Sequence, residues 1–435
     1  MTPARQQAFA AEIETKRALI FSLEEKLKAQ TTLVARELYY ERIEQLRMRA
    51  DLLEHTLALH FAYESGEDSV HQLEQAFAIL HNKLYPPLHP DLIRGTLNRK
   101  KTRRKITLLQ TNHPKFYNQI EDRLEPYLDT ITSTQPLSAK ANIYAEFWNL
   151  VQTQCTPYLR GVEFPEGLSS YLQTKEIFAK VLENIAVYHN LNQSWRLHKQ
   201  RSKQTFSVNH ESRTIFIPTR ARPGLEIKAL LYHEVFVHLL RGLRSHQLGI
   251  LTPLPHYRAF EEGLGKTLQQ LSSGQERITT EYYTQPLIIT LGSIGLTFAE
   301  IKEFLFLTKN PNAKRHLNRA KRRTIQRRFM LNEIDYNILH YKDLSYGVGG
   351  LLLRILCQTY HRLGRQRSEP VLKSALEKIF QILLLAKFDP TNAAHVTYLE
   401  ELGHLPFTPE ESRAYHQYLT TYEIRSVWRT IPKML

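Results

Sequence analysis

Between Leu230 and Gly242 the chain reads LLYHEVFVHLLRG, an apolar run interrupted by His233, Glu234 and His238. Its length and apolar content predict a helix. In a regular helix, positions four apart are separated by about 40° and positions five apart by about 140°. Two histidines five apart therefore cannot face one point on a regular helix. If they act together, the turn between them must be widened, and a π-turn is the expected device because such turns concentrate at functional sites.

The spacing HExxxH is suggestive because two imidazoles at one point can hold a metal ion, leaving Glu234 between them as a base. A second segment adds to it. Phe260 to Gly265 (FEEGLG) opens a helix expected to run to about Leu271, and its carboxylates follow a Pro- and Gly-containing loop, Leu248 to Tyr257, that can turn the chain back. Two histidines and one carboxylate with an open fourth position form a catalytic zinc set. The chain has only two cysteines, Cys155 and Cys357, far apart and in no CxxC pair, so neither a thiolate site nor a disulfide framework is expected. Zn2+ is the cofactor this donor set implies.

Around this pair of segments the pattern is mainly helical. From Ala4 to about Glu67 apolar residues recur at helical spacing, and Pro86, Pro87 and Pro90 break the pattern. Thr130 to Ser138 reads as a linker, which places a boundary near residue 135 between a helical N-terminal region (1–135) and a catalytic region (136–435). Helices are predicted over Ala139 to Gln154, Tyr171 to Tyr188 and Leu225 to Ser245. Before the motif, Phe206 and Val208 alternate with polar neighbours and TIFI at 214 to 217 reads as a strand. The expected class is α+β, predominantly helical, with a short β-sheet before the motif helix.

These segments resemble the family that contains the microtubule-associated tyrosine carboxypeptidases and the bacterial proteins named for a QEGLA motif. The resemblance rests on HEVFVH at 233 to 238 with Leu240, Arg241 and Gly242 behind it, on EEGLG at 261 to 265, and on KDLSYGVGG at 342 to 350. It spans roughly residues 140 to 405, including TIFIP before the motif and a weaker match at Leu383 to Leu405. It implies a zincin-like metallopeptidase domain with ligands His233, His238 and Glu262, and Glu234 as catalytic base. Glu261 stands where that motif often has Gln and is the second choice as ligand. Val235 and Phe236 replace the small residues often found inside HExxxH, and Gly265 replaces the final Ala, which bears on substrate fit rather than on the ligands.

The same resemblance implies removal of a C-terminal, Tyr-like residue. That reaction needs a cation for the terminal carboxylate, for which Arg323, Arg328 and Lys342 are the candidates. Tyr346 is the candidate for hydrogen bonding to the oxyanion or carboxylate, Phe329 and Tyr346 are candidate walls of an aromatic pocket, and Asp343 is expected to cap or pin its segment. His246 and His256 are expected to be ordinary surface histidines.

Charge narrows the partner. Lys and Arg outnumber Asp and Glu by 58 to 43, and the formal net charge is +15. Basic residues cluster in RGTLNRKKTRRK at 94 to 105 and in 309 to 328, where eight fall between Lys314 and Arg328. The expected partner is an acidic peptide or protein C-terminal tail. A nucleic acid is disfavoured, because apart from Phe329 the basic runs lack the interleaved aromatics on which single-stranded bases stack. The polar start MTPARQQ and the short apolar runs predict neither a signal peptide nor membrane insertion, and with the cysteine count they favour a cytoplasmic location. The alternatives are a basic nucleic-acid-binding or regulatory protein with a structural or degenerate zinc site, and a zinc endopeptidase.

Overall fold

The computed structural model describes residues 3–65, 72–73, 75–77, 79–80, 90–128, 138–190, 195–200, 206–209, 213–251, 254–279, 284–308, 342–366, 369–421, 424–425 and 427. Its elements are mostly helices with small sheets. Among the described residues no helix is long and apolar enough to cross a membrane. The chain divides into two compact units, one of 1–136, 282–344 and 426–435, the other of 137–281 and 345–425. The first change of unit lies beside the boundary expected near residue 135, but the chain rejoins the first unit twice further on.

In the first unit, the helices Pro3–Lys28 and Leu33–Ser65 pack along each other. Phe9, Ile13, Leu52, Leu53, Leu59 and Phe77 share a core, and Arg17 bonds Glu54 at 2.8 Å on the outside. The first basic run lies on the helices Pro90–Leu97 and Lys100–Asn112. There Thr102, Ile106 and Leu109 are buried while Lys100, Lys101 and Arg104 are exposed on a solvated face, and Arg99, Arg103 and Lys105 are half-buried beside it. Arg123 grips both oxygens of Glu300, at 2.8 and 2.6 Å, tying helix Pro114–Leu124 to helix Phe298–Leu307. The second basic run lies outside the described residues.

The second unit contains the motif segments. TIFIP, at Thr214–Pro218, is the central strand of a three-stranded sheet, parallel to Arg196–Gln200 and antiparallel to Ser207–Asn209. Its Ile215 and Ile217 are fully buried, as the central strand of a covered sheet requires. The two segments read as extended in the sequence, around Val208 and at 214 to 217, thus pair antiparallel, with a parallel strand added on the other side of TIFIP. Helix Tyr171–Tyr188 begins with a reciprocal cap between Ser170 and Gln173, and the stacked rings of Phe178 and Phe206 lie 4.9 Å apart. The rest of this unit holds two two-stranded antiparallel sheets, Ser138–Lys140 with Arg277–Thr279 and Leu168–Ser169 with Arg222–Pro223, and the helices Ala145–Cys155, Arg258–Ser272, Lys342–Gln366 from Ser345 onward, Pro370–Ile382, Ala393–Glu401 and Pro409–Leu419.

Candidate metal centre

From Gly224 to Gln247 the motif helix is continuous, but its middle is not α-helical. Residues Leu231–Leu240 form a π-helix between α-helical segments Gly224–Leu230 and Arg241–Gln247. Hydrogen bonds reaching five residues back bring positions five apart onto one side. The His233 and His238 rings accordingly face each other, with centroids 5.0 Å apart and planes inclined at 55°. The widened turn expected from the spacing is therefore present, and it extends beyond the two histidines. Burial of Leu231, Tyr232, Val235, Phe236, Val237, Leu239 and Leu240 holds it in the core on nearly every side.

Helix Arg258–Ser272 packs against this π-helix and supplies the carboxylate. Glu262 Oε2 lies 3.8 Å from His233 Nε2 and 3.7 Å from His238 Nε2. Among the described residues, His233, His238 and Glu262 form a group whose ligand atoms all fall within 4.8 Å of one another and could hold a metal ion. A tetrahedral ion with bonds of about 2.0–2.1 Å holds its ligand atoms about 3.3–3.4 Å apart. The two separations of Glu262 from the imidazole nitrogens would need to contract by only a few tenths of an ångström. Two imidazoles and one carboxylate, with Glu262 only 4% exposed, are a donor set that fits zinc.

The adjacent Glu261 faces elsewhere. Its Oε1 lies 3.1 Å from Lys387 Nζ, 3.5 Å from His238 Nδ1 and 3.9 Å from Arg241 Nη1. Burial pushes its carboxyl up, but Lys387, His238 and Arg241 outweigh burial and hold it well below the usual carboxylate range. Of the two carboxylates left open by the sequence, Glu262 is the one among the nitrogens that meet, while Glu261 lies behind His238.

Glycines set how closely these elements approach. A Cβ on Gly265 would lie 3.1 Å from the His233 ring, so the imidazole rests directly on the backbone of the carboxylate helix. At Gly263 a Cβ would come within 2.1 Å of the Gly349 carbonyl carbon, and at Gly349 within 1.8 Å of Ala259 O. The motifs EEGLG and SYGVGG thus meet backbone to backbone. The same packing brings the Tyr346 ring to 6.3 Å from the His233 ring. Gly265, Lys266 and Thr267, which superficially resemble the end of a phosphate-binding loop, lie inside helix Arg258–Ser272.

Other candidates fall into different places. Arg323, Arg328 and Phe329 lie outside the described residues. Lys342 and Asp343 begin helix Lys342–Gln366, and their side chains are likewise outside the described set. His246 is exposed, whereas His256 is half-buried with φ at 61°, a more constrained position than an ordinary surface histidine occupies. Both cysteines are buried free thiols, pushed up by desolvation. Sequence reasoning passed over Lys387, Asp389 and His395, whose only signal was the weak match around Leu383 to Leu405. Compared with known proteins, the chain matches no family model and no curated protein.

Proposed function

We propose that the chain is a zinc-dependent metallocarboxypeptidase of zincin-like fold that removes a C-terminal, Tyr-like residue from acidic peptide or protein tails in the cytoplasm. The observation that carries the reading is the convergence of His233, His238 and Glu262 across a π-helix, with Glu234 next to the first ligand. An HExxxH spacing that served no joint purpose would not need ten residues of the less common helix. The resemblance in HEVFVH, EEGLG and KDLSYGVGG points the same way.

When bound, zinc supplies Lewis-acid polarisation of the scissile carbonyl and acidifies water to a pKa of about 7. Glu234 takes a proton from the attacking water, whose oxygen bonds to the carbonyl carbon, and returns that proton to the departing amine as the C–N bond breaks. Tyr346, close to His233, donates its phenolic hydrogen to the oxygen that gains negative charge. The reaction also needs a cation for the terminal carboxylate, the role for which the resemblance offers Arg323, Arg328 and Lys342 as candidates. The basic excess attracts acidic tails over a range that salt shortens to about 10 Å at 0.1 M.

The test is a comparison of acidic peptides ending in Tyr or Phe with the same peptides amidated at the C-terminus, products being read by mass spectrometry. Loss of one residue from the free acids, slower at high ionic strength and abolished by amidation, is the expected result. Equal cleavage of both forms, or cleavage only at internal bonds, makes the protein an endopeptidase instead.

A further inference from the structure

We propose that Lys387 is a positioning residue of the metal site, acting through Glu261 on the ligand His238. The inference rests on the reading of His233, His238 and Glu262 as a zinc site, and extends it to a segment far along the chain.

The segment following helix Pro370–Ile382 is held against the motif helix by three hydrogen bonds. Arg241 Nε donates to Ala386 O at 2.8 Å, and Arg241 Nη2 donates to Phe388 O at 2.9 Å. The Lys387 backbone N–H donates to Ser245 Oγ at 2.7 Å. Arg241 and Ser245 are four apart and share a face of helix Arg241–Gln247, one turn and two turns beyond His238. The backbone on both sides of Lys387 is therefore pinned, and its side chain can reach only inward.

There it meets Glu261. The ammonium lies 3.1 Å from Glu261 Oε1 and 5.7 Å from the centre of the Tyr257 ring, and Lys387 is only 5% exposed. A lysine so deeply buried needs an anion. Glu261 needs Lys387 as well, because it adjoins the buried Glu262 in the chain, and two buried carboxylates repel unless a cation offsets one of them.

The consequence falls on His238. Glu261 Oε1 lies 3.5 Å from His238 Nδ1, while Glu262 lies on the Nε2 side. A carboxylate behind Nδ1 keeps the proton on that nitrogen and leaves the Nε2 lone pair directed at the site. Lys387 anchors the carboxylate oxygen that does this, with Arg241 at 3.9 Å as a weaker second cation. Lys387 touches no ligand atom itself, so its effect on metal must pass through Glu261.

The experiment measures zinc affinity of the full chain by competition with a chelating dye, with thermal melting of the metal-free protein as the folding control. Lys387→Met, which keeps the stem and removes the charge, is expected to weaken zinc binding about 10- to 100-fold, and Lys387→Arg to restore most of it. Glu261→Gln is expected to weaken zinc similarly. Adding Lys387→Met to Glu261→Gln should then cost nothing more, because the route through the carboxylate is already broken. Cobalt(II) in place of zinc should show altered visible bands in both single variants, a change that mere loss of packing would not produce. The proposal is overturned if folded Lys387→Met binds zinc within about twofold of the parent, or if its loss persists in full beside Glu261→Gln. If Lys387→Met does not fold, Glu261→Gln decides alone, and unchanged affinity there overturns the proposal. A parent protein that binds no more zinc than the His233→Ala, His238→Ala double variant removes the metal-site reading itself, and this inference with it.

Discussion

Gly263 and Gly349 lie so close that a single Cβ on Gly263 would sit 2.1 Å from the Gly349 carbonyl carbon. The obstacle is backbone, so no side chain can swing aside. Gly263→Ala or Gly349→Ala should separate the two helices, costing about 1–3 kcal/mol or more, and should displace the neighbouring Glu262. Gly95 provides the contrast: it lies in helix Pro90–Leu97 with open space where a Cβ would go. Gly95→Ala should stabilise by about 0.4–1 kcal/mol. Denaturant unfolding of the three variants, with zinc content measured beside it, checks the pair of outcomes. Equal behaviour of Gly95→Ala and Gly263→Ala would remove the close crossing from the explanation.

Ligand and base should separate cleanly. The His233→Ala, His238→Ala double variant is expected to lose zinc after mild dialysis, as read by elemental analysis, with the parent retaining one ion per chain. Glu234→Gln removes a base without removing a ligand, so it should keep the ion and lose turnover by about 100-fold or more. Full activity in Glu234→Gln would rule out the proton path described above.

Arg241 is fully buried, and two of its nitrogens satisfy backbone carbonyls at 386 and 388. Desolvation pulls its pKa down, with Glu261 and Asp389 pulling it back up. Arg241→Met leaves both carbonyls without that donor and Glu261 short of a cation, for an expected cost of about 3–5 kcal/mol. Arg241→Lys should recover only part, since one ammonium cannot copy the fork. Chemical denaturation resolves these values, and a cost below about 1 kcal/mol for Arg241→Met would count against the anchoring role.

A pH effect follows from His395. Its Nδ1 accepts from the Asp389 N–H at 3.0 Å, so Nε2 carries the proton and donates to Pro255 O at 2.8 Å. Burial, aided by His256, pulls its pKa down from 6.5 to about 3. The unfolded chain then binds a proton that the folded chain refuses, so this contribution is fully present above pH 6.5 and is lost as pH falls toward about 3. Burial also pushes Asp389 up to about 7, which acts in the opposite sense between its ordinary value and neutrality. The informative quantity is therefore the difference between parent and His395→Gln. The parent should lose more stability than the variant between pH 6.5 and 4 in thermal melts, and parallel curves would refute the assignment.

The spacing of His233 and His238 already required a widened helix, because in a regular α-helix the rotation per residue is set by the backbone hydrogen-bond pattern and leaves positions five apart on different faces. The helices around it, the TIFIP strand and the apolar run that buries the π-helix were legible for the same reason: periodicity and burial pattern are written locally. Other parts were not. Glu261 and Glu262 are adjacent on one helix, about 100° apart, and either can face the histidines until packing chooses the rotation. That choice was made by Gly263 and Gly265, which let the long helix and the His233 ring approach the backbone, and by Lys387, which occupies the other face. Lys387 and Arg241 meet Glu261 through contacts between segments far apart in sequence. A buried ion pair has no local signature, since its stability comes from desolvation and mutual approach that exist only after folding.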